Sequence, residues 1–304
     1  NHHFDWHSIF FLTLVLALTA LLLSVKAIPT DIDRIQHQTN RPKADVAGSF
    51  LYIACIAITL YGLSNLSIFH YGWVILFAGL LLGAGFVYTE LKAENPVIRI
   101  TMFTKDKAFA FSNIAALLNY GATFAISYLM SIYLQVIMGY TSQTAGLILI
   151  SQPLMQALFS PMMGKLSDRI APYKLATAGM CFCVVGLILF AVMGLNTSLS
   201  FVIGALLLSG FGFALFSSPN TNAVMSCVQP KDYSVANAIL STMRTVGQSS
   251  SMAVVTIVVG ITMGSRALSD AAPAELVHTM HIIFGVFIVF CLLGVMLSME
   301  RRKA

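Results

Sequence analysis

Long apolar runs separated by short polar breaks organise this chain. Nine such runs can be counted, at 8–28, 46–66, 71–91, 109–135, 144–163, 175–194, 201–225, 236–264 and 278–299. A helix rises 1.5 Å per residue, so a run of about 18 or more apolar residues crosses a hydrocarbon core of about 30 Å. Alternating segments of about ten residues, the mark of a transmembrane barrel, are absent. The pattern predicts an all-α polytopic membrane protein of nine spans. Connections are short except at 29–45, 92–108 and 265–277.

Within the run 109–135 a second pattern appears. At 100° per residue, Asn113, Tyr120, Phe124, Ser127, Tyr128, Ser131 and Gln135 fall on one stripe. Ala115, Leu118, Ala122, Ala125, Leu129 and Ile132 lie opposite. A polar, aromatic stripe along a whole span has no use toward lipid; it faces a bundle interior or an aqueous cavity. The run 201–225 carries a second stripe of Ser209, Phe213, Phe216 and Asn220, and Pro219 removes a helix hydrogen bond and is expected to kink it. Gln152 and Gln156 flank Pro153 and stand one turn apart. These stripes are the candidate lining of a substrate cavity, with hydrogen bonding between helices as the alternative use of the same groups.

Charge changes the picture in two ways. The chain of 304 residues is 58% hydrophobic and only 10% charged, against about 25% in soluble domains. Its mean hydropathy is +0.84. Fifteen basic residues fall on one set of alternate loops: Lys26, Arg34, Arg41, Lys43, Lys92, Arg99, Lys105, Lys107, Lys165, Arg169, Lys174, Lys231, Arg301, Arg302 and Lys303. The opposite set holds only Arg266. The positive-inside rule turns the fifteen toward the cytoplasm, with the C-terminus inside and the protein in the cell membrane. The net charge of +5 is spread through these loops with no basic face between aromatics, so nucleic acid is not an expected partner.

The last cation, Arg244, lies inside a run. Counted from Ala236 it sits about 12 Å into the helix. At that depth an Arg costs at least about 2.5 kcal/mol unless it is paired or hydrated. Together with Gln248 on the same face it is expected to act as a gate or an anion contact, with snorkelling as the plain alternative. No Asp or Glu lies inside any run; Glu90 stands at an end. Cys55, Cys181, Cys183, Cys227 and Cys291 read as small packing residues. His278 and His281 are one turn apart but lack a third ligand, and His2, His3 and His7 form no recognisable site. With no Gly-rich phosphate loop and no nucleophile–base pair, neither cofactor, metal nor enzyme activity is expected.

Between the fifth and sixth runs stands GKLSDRIAPYK, residues 164–174. The pattern Gly164-x-x-x-Asp168-Arg169-x-x-x-x-Lys174 resembles the loop motif of the major facilitator superfamily. Ala171 stands where that family usually has Gly, so the stretch is similar to the weaker second copy of the motif. NPVIRITMFTKDKAF (95–109), SPNTNAVMSCVQP (218–230) and ANAILSTMRTVGQ (236–248) resemble the fourteen-span multidrug/proton antiporter branch, the EmrB/QacA type. The resemblance implies that 1–28 ends in the last helix of an N-terminal half, that 29–107 is a cytoplasmic linker with two extra membrane helices, and that 108–304 is the C-terminal six-helix half. It implies alternating access, with Gly164, Asp168, Arg169 and Lys174 as a latch. The implied function is drug/proton antiport exporting lipophilic or cationic small molecules. A specific metabolite transporter of the same superfamily and a non-transporting membrane receptor are the alternatives. The chain begins at Asn1, so it is expected to be a fragment, with proton coupling carried by the missing N-terminal half.

Overall fold

The computed structural model describes residues 7–27, 45–66, 71–93, 96, 98, 100–264 and 272–301. Arg34, Arg41, Lys43, Arg99, Arg266, Arg302, Lys303, His2 and His3 lie outside the described residues, as do the boundary at residue 28 and most of the connection 29–45. The described elements are all helical, with no strand among them. The chain divides into two units, Asn1–Ala44 and Asp45–Ala304. The first holds α1 (His7–Ala27), whose 21 residues reach about 31 Å and are apolar on every side.

In the second unit, α2 (Val46–Ser64) and α3 (Gly72–Glu90) form a hairpin. Asp45 caps α2 by accepting from the Gly48 amide at 2.7 Å. A short α4 (Thr101–Lys105) occupies the connection that follows. Asp106 then accepts from the Phe109 amide and starts α5 (Lys107–Thr123). This span continues through α6 (Ala125–Ile132) into a π-helical turn, Tyr133–Ile137. Next come α7 (Ser142–Leu149), capped by Thr141, and α8 (Ser151–Ser167). The rest is α9 (Pro172–Ala191), α10 (Leu199–Ser226), α11 (Tyr233–Met263) and α12 (Pro273–Glu300). Eight helical segments after α1 are long and apolar enough to cross a bilayer. From α5 onward six of the starts precede the apolar runs by two to five residues, because caps and N1 prolines, not the first apolar residue, begin a helix.

α5 packs against α10, α11 and α12; α9 joins α10 and α12, and α8 packs on α10. The face of the 109–135 run opposite its polar stripe is largely covered by protein, with Leu118 and Ile132 half-buried. Ala115, Ala122, Ala125 and Leu129 are fully buried in protein. The small side chains let neighbouring backbones close in, which is how helices associate where lipid removes the hydrophobic drive between them. One such close approach to this span is at Gly247 of α11, where a Cβ would lie 2.5 Å from Leu117 O. Around this seam Phe190 stacks on Phe284 with centroids 5.5 Å apart. α10 runs unbroken through Pro219, which is buried within it. The α2–α3 hairpin reaches the bundle through α11, where the Tyr52 hydroxyl hydrogen-bonds Thr242 Oγ1.

Candidate functional site

Four helical segments line an open cavity of about 680 Å³. Each contributes side chains one turn apart, the spacing that keeps residues on one helix face. The α5–α6 span supplies Tyr120, Phe124 and Tyr128, with Thr123 and Ser127 beside them. α8 supplies Gln152 and Gln156, α10 supplies Phe213 and Ser217, and α11 supplies Arg244, Gln248 and Met252.

The break between α5 and α6 aims part of this wall. The Ala125 amide donates to Ser251 Oγ of α11 at 3.2 Å, leaving the helical ladder at that step. Ser251 is fully buried, so this contact between the two helices is sheltered from water. Phe124 and Tyr128 are 45% and 41% exposed, whereas Tyr120, one turn before Phe124, is buried.

Tyr120 is the centre of the aromatic wall. Its ring meets Phe213 edge-on at 5.1 Å and Phe216 at 6.4 Å. Its hydroxyl is hydrogen-bonded with Ser217 Oγ at 3.1 Å. The Arg244 guanidinium carbon lies 4.8 Å from the ring centroid, within the range of a cation–π contact. Arg244 Nε and Gln152 Oε1 are buried without a hydrogen-bond partner among the described residues. No Asp or Glu is among the lining residues, so Arg244 carries the one formal charge there.

Of the residues expected in the cavity, Tyr120, Phe124, Ser127, Tyr128, Gln152, Gln156 and Phe213 line it, and Asn113, Ser131, Phe216 and Asn220 do not. Asn113 is wholly buried and donates to Phe109 O. Asn220 is buried and donates to Ser112 O at 3.3 Å. Phe216 backs the Tyr120 ring from within the core. Ser131 is spent one turn along its own helix, accepting from Gln135 Nε2 at 3.0 Å. Arg244 and Gln248, expected at a gate, stand in the cavity wall itself. Thr123, Ser217 and Met252 went unremarked in the sequence; Ser217 stands one turn from Phe213, and that spacing is the signal that finds it.

Gly164, Asp168, Arg169 and Lys174 gather where α8 ends and α9 begins, and none of them lines the cavity. A Cβ at Gly164 would meet Ser218 Oγ of α10 at 2.9 Å. Next to it Asn222 Nδ2 donates to Ser167 Oγ, so α8 and α10 are tied at this end. Asp168 is the exposed C-cap residue of α8, and Arg169 is exposed beside it. Lys174 borders a separate groove of about 380 Å³ with Tyr173, Thr177 and Met299.

A family model described as the Major Facilitator Superfamily matches residues 112–304. The chain is similar to a riboflavin transporter, RibZ, of Clostridioides difficile, with 27% identity over 244 residues covering 80% of this chain and 52% of the relative. It is 26% identical over 255 residues to the multidrug resistance protein Stp of Mycobacterium tuberculosis, covering 82% and 46%. A lincomycin resistance protein, LmrB, of Listeria monocytogenes is 23% identical over 316 residues, covering 98% and 64%. The chain thus spans from about half to just under two thirds of the length of these relatives.

Proposed function

Since the chain belongs to the Major Facilitator Superfamily, we propose that it is part of a secondary active transporter that exports lipophilic small molecules by alternating access. The superfamily relatives are transporters, not enzymes. The carrying observation is the cavity of about 680 Å³ with aromatic walls, three glutamine amides and one guanidinium. It has the size and the mixture of apolar surface with few convergent polar groups that small-molecule sites share. The names of the multidrug and lincomycin resistance relatives agree with drug export.

In this reading α5–α12 form the C-terminal half of a fourteen-span carrier, and α2–α3 are its extra central pair. The protein sits in the cell membrane with the C-terminus in the cytoplasm, in line with its loop charges. The acidic groups among the described residues stand at helix ends, and in this reading proton coupling is assigned to an N-terminal half. The tie of α8 to α10 at Gly164 and Ser167 acts as a hinge point, and Asp168 with Arg169 pairs alternately as the bundles rock. The test is export by the natural full-length protein in cells. Asp168→Asn should cut transport about tenfold, on the order of 1.4 kcal/mol in the barrier, while substrate binding persists. Unchanged export would remove the latch.

A second reading has its own observation. Arg244 and three amides can satisfy a single polar ligand edge, which favours one metabolite over many drugs. The riboflavin transporter among the relatives fits it. Competition separates the two, since chemically unrelated compounds inhibit a multidrug exporter and leave a dedicated carrier untouched.

A further inference from the structure

Resting on the reading of the cavity as a substrate site, we propose that this chain builds an acceptor-selective subsite, which takes a flat aromatic ligand by its carboxylate. Charge is the first argument. Arg244 is the one formal charge on the lining, and no carboxylate lies beside it. The Asp and Glu residues of the described chain stand at helix caps and ends: Asp45, Glu90, Asp106, Asp168, Asp232, Glu275 and Glu300. A cationic ligand would be repelled by that guanidinium, with no carboxylate on the lining to offset it, and an anionic one would neutralise it.

Geometry is the second argument. The Arg244 guanidinium carbon lies 4.8 Å from the Tyr120 ring centroid, and its Nε is buried without a partner among the described residues. A guanidinium edge that offers parallel N–H donors matches the two oxygens of a carboxylate. Phe213 and Phe124 on the same wall provide apolar surface for a ring attached to that carboxylate. The Gln248 amide, one turn from Arg244, can donate to an oxygen that Arg244 leaves open. Tyr120 backs the guanidinium and is itself tied to Ser217, so it serves as a positioning residue.

The test measures binding of radiolabelled 2-naphthoate and of its matched cation, 2-naphthylmethylammonium, to the purified natural full-length protein. Wild type should bind the acid at least about tenfold more tightly than the cation, or about 1.4 kcal/mol. Arg244→Gln should erase that preference with the cation's affinity unchanged or improved. Arg244→Lys, which keeps the charge and loses the planar fork, should fall between. Phe213→Ala should weaken both probes alike. Tighter binding of the cation by wild type overturns the inference without recourse to any variant, as does failure of wild type to bind either probe. An acid-to-cation ratio that survives Arg244→Gln overturns it too, and leaves the cavity reading standing if Phe213→Ala still weakens both. Indifference of both probes to Phe213→Ala sinks the cavity reading itself.

Discussion

Two ends of the 107–137 span handle polar side chains in opposite ways. At the α6 end the groups close on one another. Gln135 Nε2 donates to Ser131 O and Oγ, and Ser142 Oγ donates to Gln135 Oε1 at 2.7 Å. The Tyr133 hydroxyl donates to Gly194 O at 2.6 Å, and His281 Nε2 meets Met193 O at 2.6 Å, so two helices clasp the α9–α10 turn. Beside the cavity, Gln152 Oε1 and Arg244 Nε are buried without a hydrogen-bond partner among the described residues. Both regions are rich in polar atoms. Closed groups contribute stability, whereas open buried groups cost it, commonly about 1–3 kcal/mol each, and hold binding capacity in return.

The largest expected effect comes from closing the gap on which the cavity wall rests. Gly247→Ala places a Cβ 2.5 Å from Leu117 O and 3.1 Å from Gly121 N. Backbone cannot yield as a side-chain tip can, so we expect a loss of about 1–3 kcal/mol. It should be read as a lower thermal midpoint in detergent together with weaker ligand binding. Tyr133→Phe sharpens the contrast from the closed side. It removes one bond to Gly194 O and should cost about 1 kcal/mol of stability, with ligand affinity untouched in the same preparation. Gln152→Leu sharpens it from the open side. Removing an unpartnered acceptor should leave the thermal midpoint level or slightly higher, within about 0.5 kcal/mol, while ligand titration shows weaker binding.

The smallest effect lies at the far end of α10. The Cys227 thiol donates to Ala223 O and is pushed up to about 11, by burial first and then by the nearby Asp106 charge. The thiolate is the reactive form, and at pH 8 it amounts to about a thousandth of the population. Maleimide labelling at Cys227 should therefore be slow at pH 8 and rise close to tenfold per pH unit toward pH 10. Fast labelling at pH 8 would contradict its closed environment.

Much of the architecture could be read from the residues. Apolar run length places the helices because the bilayer sets a minimum that few other structures share. Caps such as Asp106 and Ser198 correct the boundaries that apolarity alone misjudges. The site was legible in part. Spacing of one turn brought Tyr120, Phe124 and Tyr128 together, and likewise Gln152 with Gln156. Spacing could not separate Ser131 from Ser127, because whether a serine stays open depends on Gln135 folding back one turn. Nor could it separate Phe213, in the wall, from Phe216, in the core, since the division depends on where α5 packs. Arg244 was visible as costly, but its place in the wall follows from the Gly247 contact one turn away, a tertiary fact. Glu90 gave no hint of burial, yet it is 3% exposed and accepts the Ile98 amide at 2.9 Å.

The claim on which the rest depends is that the α5–α6 span presents one face to an aqueous hollow and the other to packed protein. Labelling by a membrane-impermeant maleimide, in the natural full-length protein with its native cysteines replaced, tests it most directly. Phe124→Cys and Tyr128→Cys should label rapidly and be protected by bound ligand, while Ala122→Cys and Leu129→Cys should stay unlabelled. Equal labelling of the two pairs, or labelling of the first pair that ligand does not slow, would contradict the account.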